Sequence, residues 1–313
     1  MVAVLPVGVK SPGMMRICPE VQAALRDARP VVALESTIFA HGLPAPEGVE
    51  TAAALEALVR ARGAVPATIG VLDGALVVGL SPSEIERLAT GPGVRKLSRA
   101  DLAHALATRA LGATTVSATM LAAHRAGIAI FATGGIGGVH RGFEQHMDVS
   151  ADLGELGRTR VMVVAAGAKS ILDLPRTLEA LETLGVPVVG MGTDELPAFF
   201  CRTSGLPLTQ RVDDAATAAR MLAAQRALGI ETGMLLVVPP PEDAALARAE
   251  IDGAIDEALR EAEARGVKGK AVTPFLLAEV RRRTGGRSLT ANVALVKQNA
   301  AMASDVAVAL ATC

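Results

Sequence analysis

The sequence predicts a three-layer α/β/α fold with a large mixed sheet and a helical C-terminal part. Three observations carry this. Short apolar runs alternate with stretches of helical spacing from Val31 to Val238. Two of those runs flank Asp73–Gly74, a two-residue hairpin signal that adds antiparallel strands to a parallel sheet. Residues 243–311 keep helical spacing and a high alanine content, interrupted only at Gly266–Gly269 and Gly285–Gly286.

Residues 1–18 read as a loose extension ahead of one domain spanning 19–313. Pro19 and Glu20 open a short helix through Val21, Ala24 and Leu25, and Pro30 limits it. Val31 to Ser36 is an apolar run ending in a carboxylate, as a buried parallel strand ends at its loop. Ala52, Leu55, Leu58 and Val59 recur at helical spacing over 48–62, with Gly63 as the stop. Beyond the hairpin, Ser81, Pro82 and Glu84 form an N-terminal helix signature, and Ser98 with Asp101 resembles a capping box. Strands are predicted at Ile128–Ala132, Val161–Ala165, Val186–Val189 and Met234–Val238, and helices near 115–126, 171–184 and 213–228.

Composition narrows the function. Across 313 residues, 31 Lys and Arg against 32 Asp and Glu leave a formal charge of −1, which argues against a general nucleic-acid binder. Six Phe with no Trp or Tyr disfavour a site built on stacked aromatic platforms. Cys18, Cys201 and Cys313 are scattered and odd in number, so they read as reduced thiols of a cytoplasmic protein. Apolar Val2–Val9 precedes the first cation, Lys10, unlike a signal peptide. The most apolar region, Ala110–Val139, is broken by His124, Arg125 and glycines, so no membrane span is expected.

Five features could carry chemistry. Lys169 follows a strand and an Ala-Gly-Ala turn and is read as leading into a helix; a lysine there is either an imine-forming nucleophile or a snorkelling surface cation. Glu35 ends a buried strand, where a carboxyl serves as general acid or base, or pairs structurally. The glycine-rich segment FATGGIGGVHRG, residues 131–142, can offer backbone N–H groups to an anion or simply turn tightly. His140, Glu144, His146, Asp148, Ser150 and Asp152 form a polar cluster in which Asp148, Ser150 and Asp152 would share one side of an extended segment. Such a cluster suits Mg²⁺ or Mn²⁺, or a solvated loop. Lys96 is either a phosphate ligand or a solvated charge.

Taken together, VVALEST, GAVPATIGVLDG, KLSRADL, GATTVSATM, FATGGIGGVHRG, DVSADL, AGAKSILDLP, LPAFFCRTS and TPFLL resemble one family, the pseudouridine-5′-phosphate glycosidases, which include the indigoidine synthase A-like proteins. The resemblance implies an α/β/α enzyme that reversibly splits the C–C glycosidic bond of pseudouridine 5′-phosphate into uracil and ribose 5-phosphate. By position it implies Lys169 as imine-forming nucleophile, Glu35 as proton donor and Asp148 as ligand of one Mn²⁺ per subunit. Lys96, Val116, Thr133, Ser150, Ala151, Asp152 and Asn292 would line the substrate site. It further implies a homotrimer and a small-molecule sugar-phosphate or nucleotide substrate, with neither nucleic acid nor membrane as partner. The family pattern is broken at Gln145, which stands where a histidine is expected, so no role is assigned to His146. Two other readings compete: an imine-forming, aldolase-type lyase on another sugar phosphate, and a non-catalytic sugar-phosphate sensor.

Overall fold

The computed structural model describes residues 14–267 and 272–313. Most of residues 1–18, taken as loose, lie outside the described residues. The described part corrects that reading, because Met15–Ile17 forms strand β1. It pairs in parallel with Ala75–Val78, so the backbone bonds of a sheet edge hold it in place.

An 11-stranded mixed sheet is the frame. After β1 the chain forms β2 (Val31–Leu34), β3 (Val65–Leu72) and, after the hairpin turn, β4 (Ala75–Val78). The turn residues Asp73 and Gly74 both take positive φ, 54° and 85°, as a right-twisted two-residue hairpin requires. Next come β5 (Arg95–Leu97), β6 (Gly112–Thr114), β7 (Ile130–Ala132), β8 (Val139–His140), β9 (Met162–Ala165) and β10 (Leu172–Asp173). The last three strands are β11 (Val188–Met191), β12 (Gln210–Val212) and β13 (Met234–Val237). The main order is β1-β4-β3-β2-β7-β9-β13-β11-β12, and β8 with β10 form a separate two-stranded sheet. From β2 to β12 every pairing is parallel; β2, β7, β9, β13 and β11 are buried apolar runs as expected of a sheet covered on both faces, while the edge strand β12 is largely exposed.

The departure that makes the site lies in β3. Its first half pairs in parallel with β2, while Gly70 and Val71 pair antiparallel with β6. β3 therefore outruns β2, and β6 takes up the pairing where β2 stops. The Ser36 hydroxyl just past β2 accepts the Thr114 N–H at 2.8 Å, tying the two strand ends together.

Three helices bear most directly on the site. Val116–Ala126 (α1) leaves β6 through Thr115, Ala151–Leu156 (α2) is capped by Ser150, and Arg287–Leu310 (α3) closes the chain. By length and composition α3 could cross a bilayer. It instead packs on β2, β7 and β9 and buries Leu295, Val296, Ala300, Ala303 and Val306 against them. Helical residues before it, Arg248–Ala264 and Val272–Arg283, match the expected helical tail.

Candidate active site

Parallel strands end on the same side, and the site forms there. Leu34 of β2 is in register with Ala132 of β7, so the next residues, Glu35 and Thr133, emerge side by side. Glu35 is 7% exposed, and the Thr133 hydroxyl donates to its Oε1 while the Thr37 hydroxyl donates to its Oε2. Burial pushes the Glu35 carboxyl above its ordinary value of 4.5; Lys169 and the two hydroxyls pull it down, and Asp152 adds to the rise. A buried carboxyl biased toward its protonated form is suited to donating a proton.

Lys169 follows β9 by way of Gly167, whose φ is +82° and whose missing side chain leaves room for the Pro197 carbonyl. The Ala168–Ile136 bridge and the Lys169 N–H to Ile136 carbonyl bond (3.1 Å) lay this turn along the glycine loop. The expected helix does not begin at Lys169. A turn and β10 intervene, and the helix starts at Leu174, capped by Asp173. Glu35 and His140, rather than a helix N-terminus, are the titratable groups that interact with the lysine.

The glycine loop is less open to an anion than its sequence suggests. The Ile136 N–H bonds to Gly167, the Val139 N–H to Thr177 and the His140 N–H to Asp148. The Gly137 N–H donates to Asp152 Oδ2 at 2.8 Å, and the Ser117 N–H to Asp152 Oδ1 at 2.9 Å. Asp152 thus clamps the loop to the start of α1 with both oxygens. The expected extended alternation of Asp148, Ser150 and Asp152 is also corrected: Ser150 caps α2, accepting the Asp152 N–H at 3.3 Å, and Asp152 sits in the first helical turn.

A cavity of about 350 Å³ is lined by Glu35, Lys96, Val116, Thr133, Asp148, Ser150, Ala151, Asp152, Lys169 and Asn292. Every residue that the resemblance assigned to the site therefore faces one space, together with His140 of the polar cluster. Others were not anticipated. His41 enters from a π-helical turn, Ile38–Gly42, after β2; its Nε2 is buried with no hydrogen-bond partner among the described residues, and burial lowers its pKa. Phe199 borders the glycines, at a positive φ of 59°. Thr273, Pro274 and Leu277 cover the cavity from the C-terminal helices. The HGLP turn after VVALEST was the one available signal for His41.

The donor set limits what metal could sit here. Asp148 is 42% exposed at the cavity, and His140 Nδ1 lies 3.9 Å from its Oδ2. Glu144 instead pairs with Arg176 at 2.7 Å. Among the described residues no three His, Cys, Asp or Glu side chains converge. One carboxylate in a roomy polar cavity fits a hard divalent ion that keeps several waters and takes further oxygens from a phosphate ligand, not a protein cage.

The sequence and the fold are shared with known proteins. A family model for indigoidine synthase A-like proteins matches residues 20–309. A pseudouridine-5′-phosphate glycosidase of Herpetosiphon aurantiacus is 58% identical over 294 residues, covering 94% of this chain and 97% of the relative. One from Paracoccus denitrificans is 55% identical, covering 96% and 100%. A prealnumycin C-glycosynthase crystallised with ribulose 5-phosphate superposes with a TM-score of 0.89 at 43% identity, over 96% of this chain and 98% of the other. An indigoidine synthase A-like protein of Thermotoga maritima superposes at 0.87 with 36% identity, over 95% and 97%. The chain belongs to the indigoidine synthase A-like family, which includes the pseudouridine-5′-phosphate glycosidases.

Proposed function

We propose that this protein is a pseudouridine-5′-phosphate glycosidase, interconverting pseudouridine 5′-phosphate and water with uracil and ribose 5-phosphate. The observation that carries the reading is that a lysine, Lys169, and a buried, doubly hydrogen-bonded carboxyl, Glu35, line one cavity. Relatives bearing that activity's name support it over nearly the full chain.

The bond to be broken joins two carbons, so protonating a glycosidic heteroatom cannot release the base. The ribose ring opens instead, with Glu35 giving a proton to the ring oxygen as its bond to C1′ breaks. The uncharged Lys169 amine bonds to C1′. The ammonium so formed gives a proton back to Glu35, which restores the nitrogen lone pair. Glu35 passes that proton to uracil C5, the C1′–C5 bond breaks with its electron pair going to uracil, and the nitrogen lone pair closes the imine. Water adds to the imine and releases ribose 5-phosphate, regenerating the amine. Lys96 would hold the phosphate, so that remote binding aligns C1′ with Nζ. Val116 and Asn292 would line the substrate. Asp152 acts indirectly, fixing Gly137 and Ser117.

Asp148 would hold the divalent ion, for which we propose Mn²⁺; bound there, it would supply positive charge that orients the sugar phosphate. A homotrimer in the cytoplasm completes the proposal; light scattering would give three times the chain mass of 32.0 kDa.

The test is to incubate the protein with pseudouridine 5′-phosphate and Mn²⁺ and follow uracil release, then trap with borohydride and ribose 5-phosphate. Uracil release together with a reduced sugar adduct on Lys169 is the expected outcome, and Lys169→Ala should lose both, turnover falling by roughly a thousand-fold or more. Turnover without an adduct would refute the imine. A sugar-phosphate lyase would give the adduct but no uracil, and a sensor would bind without turning over.

A further inference from the structure

The last helix carries a residue its surroundings do not favour. Asn299 is 1% exposed on a face of α3 otherwise made of Ala, Val, Leu and Ser. Asparagine is a weak helix former, and a buried amide is costly unless hydrogen-bonded. Its Nδ2 donates to the Thr133 carbonyl at 2.8 Å and to the Gly134 carbonyl at 3.2 Å, while Oδ1 has no partner among the described residues. Both facing groups are acceptors, so only the NH₂ end of the amide can point at them.

The peptide it grips is the one that carries the Glu35 contact. The Thr133 N–H bonds to Val164 at 3.0 Å and the Ala166 N–H to Gly134 at 2.9 Å, which fixes the loop to β9. Asn299 adds a restraint from the helical layer, on the carbonyl side of Thr133. Asn292, seven residues earlier on the same helix, faces the cavity itself, so one face of α3 both lines the site and braces it.

We propose that Asn299 is a positioning residue, holding the Thr133 carbonyl so that the Thr133 hydroxyl stays on Oε1 of Glu35. Its relevance to catalysis rests on the proposed role of Glu35; the brace itself does not. The groups acting on Glu35 are Lys169, Asp152 and the hydroxyls of Thr37 and Thr133, and the Thr133 bond lowers the carboxyl's pKa. Releasing that hydroxyl should therefore move the Glu35 titration to higher pH.

The experiment follows the infrared carboxyl band of Glu35, identified by its loss in Glu35→Gln, through a pH titration of the whole protein. Asn299→Leu keeps the volume and removes the donor. Its band should titrate at higher pH, as in Thr133→Val, and the double variant should move no further. With pseudouridine 5′-phosphate, kcat should fall roughly ten- to a hundred-fold with KM changed far less. An unmoved titration in the folded variant, or fully additive shifts in the double variant, would overturn the proposal. Should Asn299→Leu not fold, Asn299→Ser is read by the same criteria. Absence of uracil release by the wild type would sink the proposed reaction, while the Glu35 titration decides the role of Asn299 separately.

Discussion

The hydroxyl of Thr133 reaches Glu35 across 98 residues of sequence because β2 and β7 end in register, Leu34 against Ala132. A carboxyl held that way by one neighbouring strand, and by Thr37 from its own loop, cannot turn back into water. Its burial has consequences that can be measured.

The first concerns pH. A carboxyl whose pKa is raised by folding keeps a proton that the unfolded chain would release. Its contribution to stability is full below the ordinary value of 4.5 and is lost as pH rises through the folded value. Glu35→Gln removes that dependence. In calorimetry over a pH series, the wild type should lose melting temperature relative to Glu35→Gln as pH climbs above 4.5, and the variant should be inactive. A constant gap would show that Glu35 is not perturbed.

Gly137 is the second test. A Cβ there would lie 2.2 Å from Ser150 Oγ and 2.9 Å from Asp152 Oδ2. Gly137→Ala should therefore cost about 1–3 kcal/mol in chemical denaturation, the range for overpacking. It should raise KM as well, because the Asp152 clamp opens. A neutral substitution would mean the loop has slack that these contacts do not suggest.

Thiol labelling gives a third. Cys201 is buried and its pKa is pushed up to about 11 by burial, whereas Cys18 is part-exposed and Cys313 exposed. Iodoacetamide at about pH 8 should label Cys313 first and Cys18 more slowly, leaving Cys201 untouched until denaturant is added. Mass spectrometry of the peptides reads this directly.

Metal removal is the fourth. Exhaustive chelation should abolish turnover, Mn²⁺ should restore it, and Asp148→Ala should not recover at ordinary Mn²⁺ levels. The fold should be unaffected, since Asp148 is a half-exposed carboxylate beside a loop and not part of a structural cage. Full activity after chelation would remove the ion from the scheme.

What was legible in the sequence was local. The Asp73–Gly74 turn needs positive φ at both positions, and the Ser81–Glu84 and Ser98–Asp101 boxes form within four residues, so chain chemistry alone dictates them. Glu35 and Lys169 stood out because each is a charge placed just after a buried apolar run. The strands β1, β5, β6, β8, β10 and β12 went unread: each has two or three residues, and its extended state comes from a partner strand rather than its own propensity.

Composition, periodicity and turn chemistry by themselves determined the layered α/β class, the hairpin and the helical tail, and singled out Glu35 and Lys169 as candidates whose roles only the family resemblance supplied. Tertiary structure alone decided that Asp152 spends both oxygens on amides, that Lys169 is followed by a turn and a strand, and that Asn299 grips a carbonyl 166 residues away. The reason is physical. Turns and caps are satisfied within a few residues, whereas the partners of a buried polar group are supplied by whichever strands and helices the sheet order brings beside it.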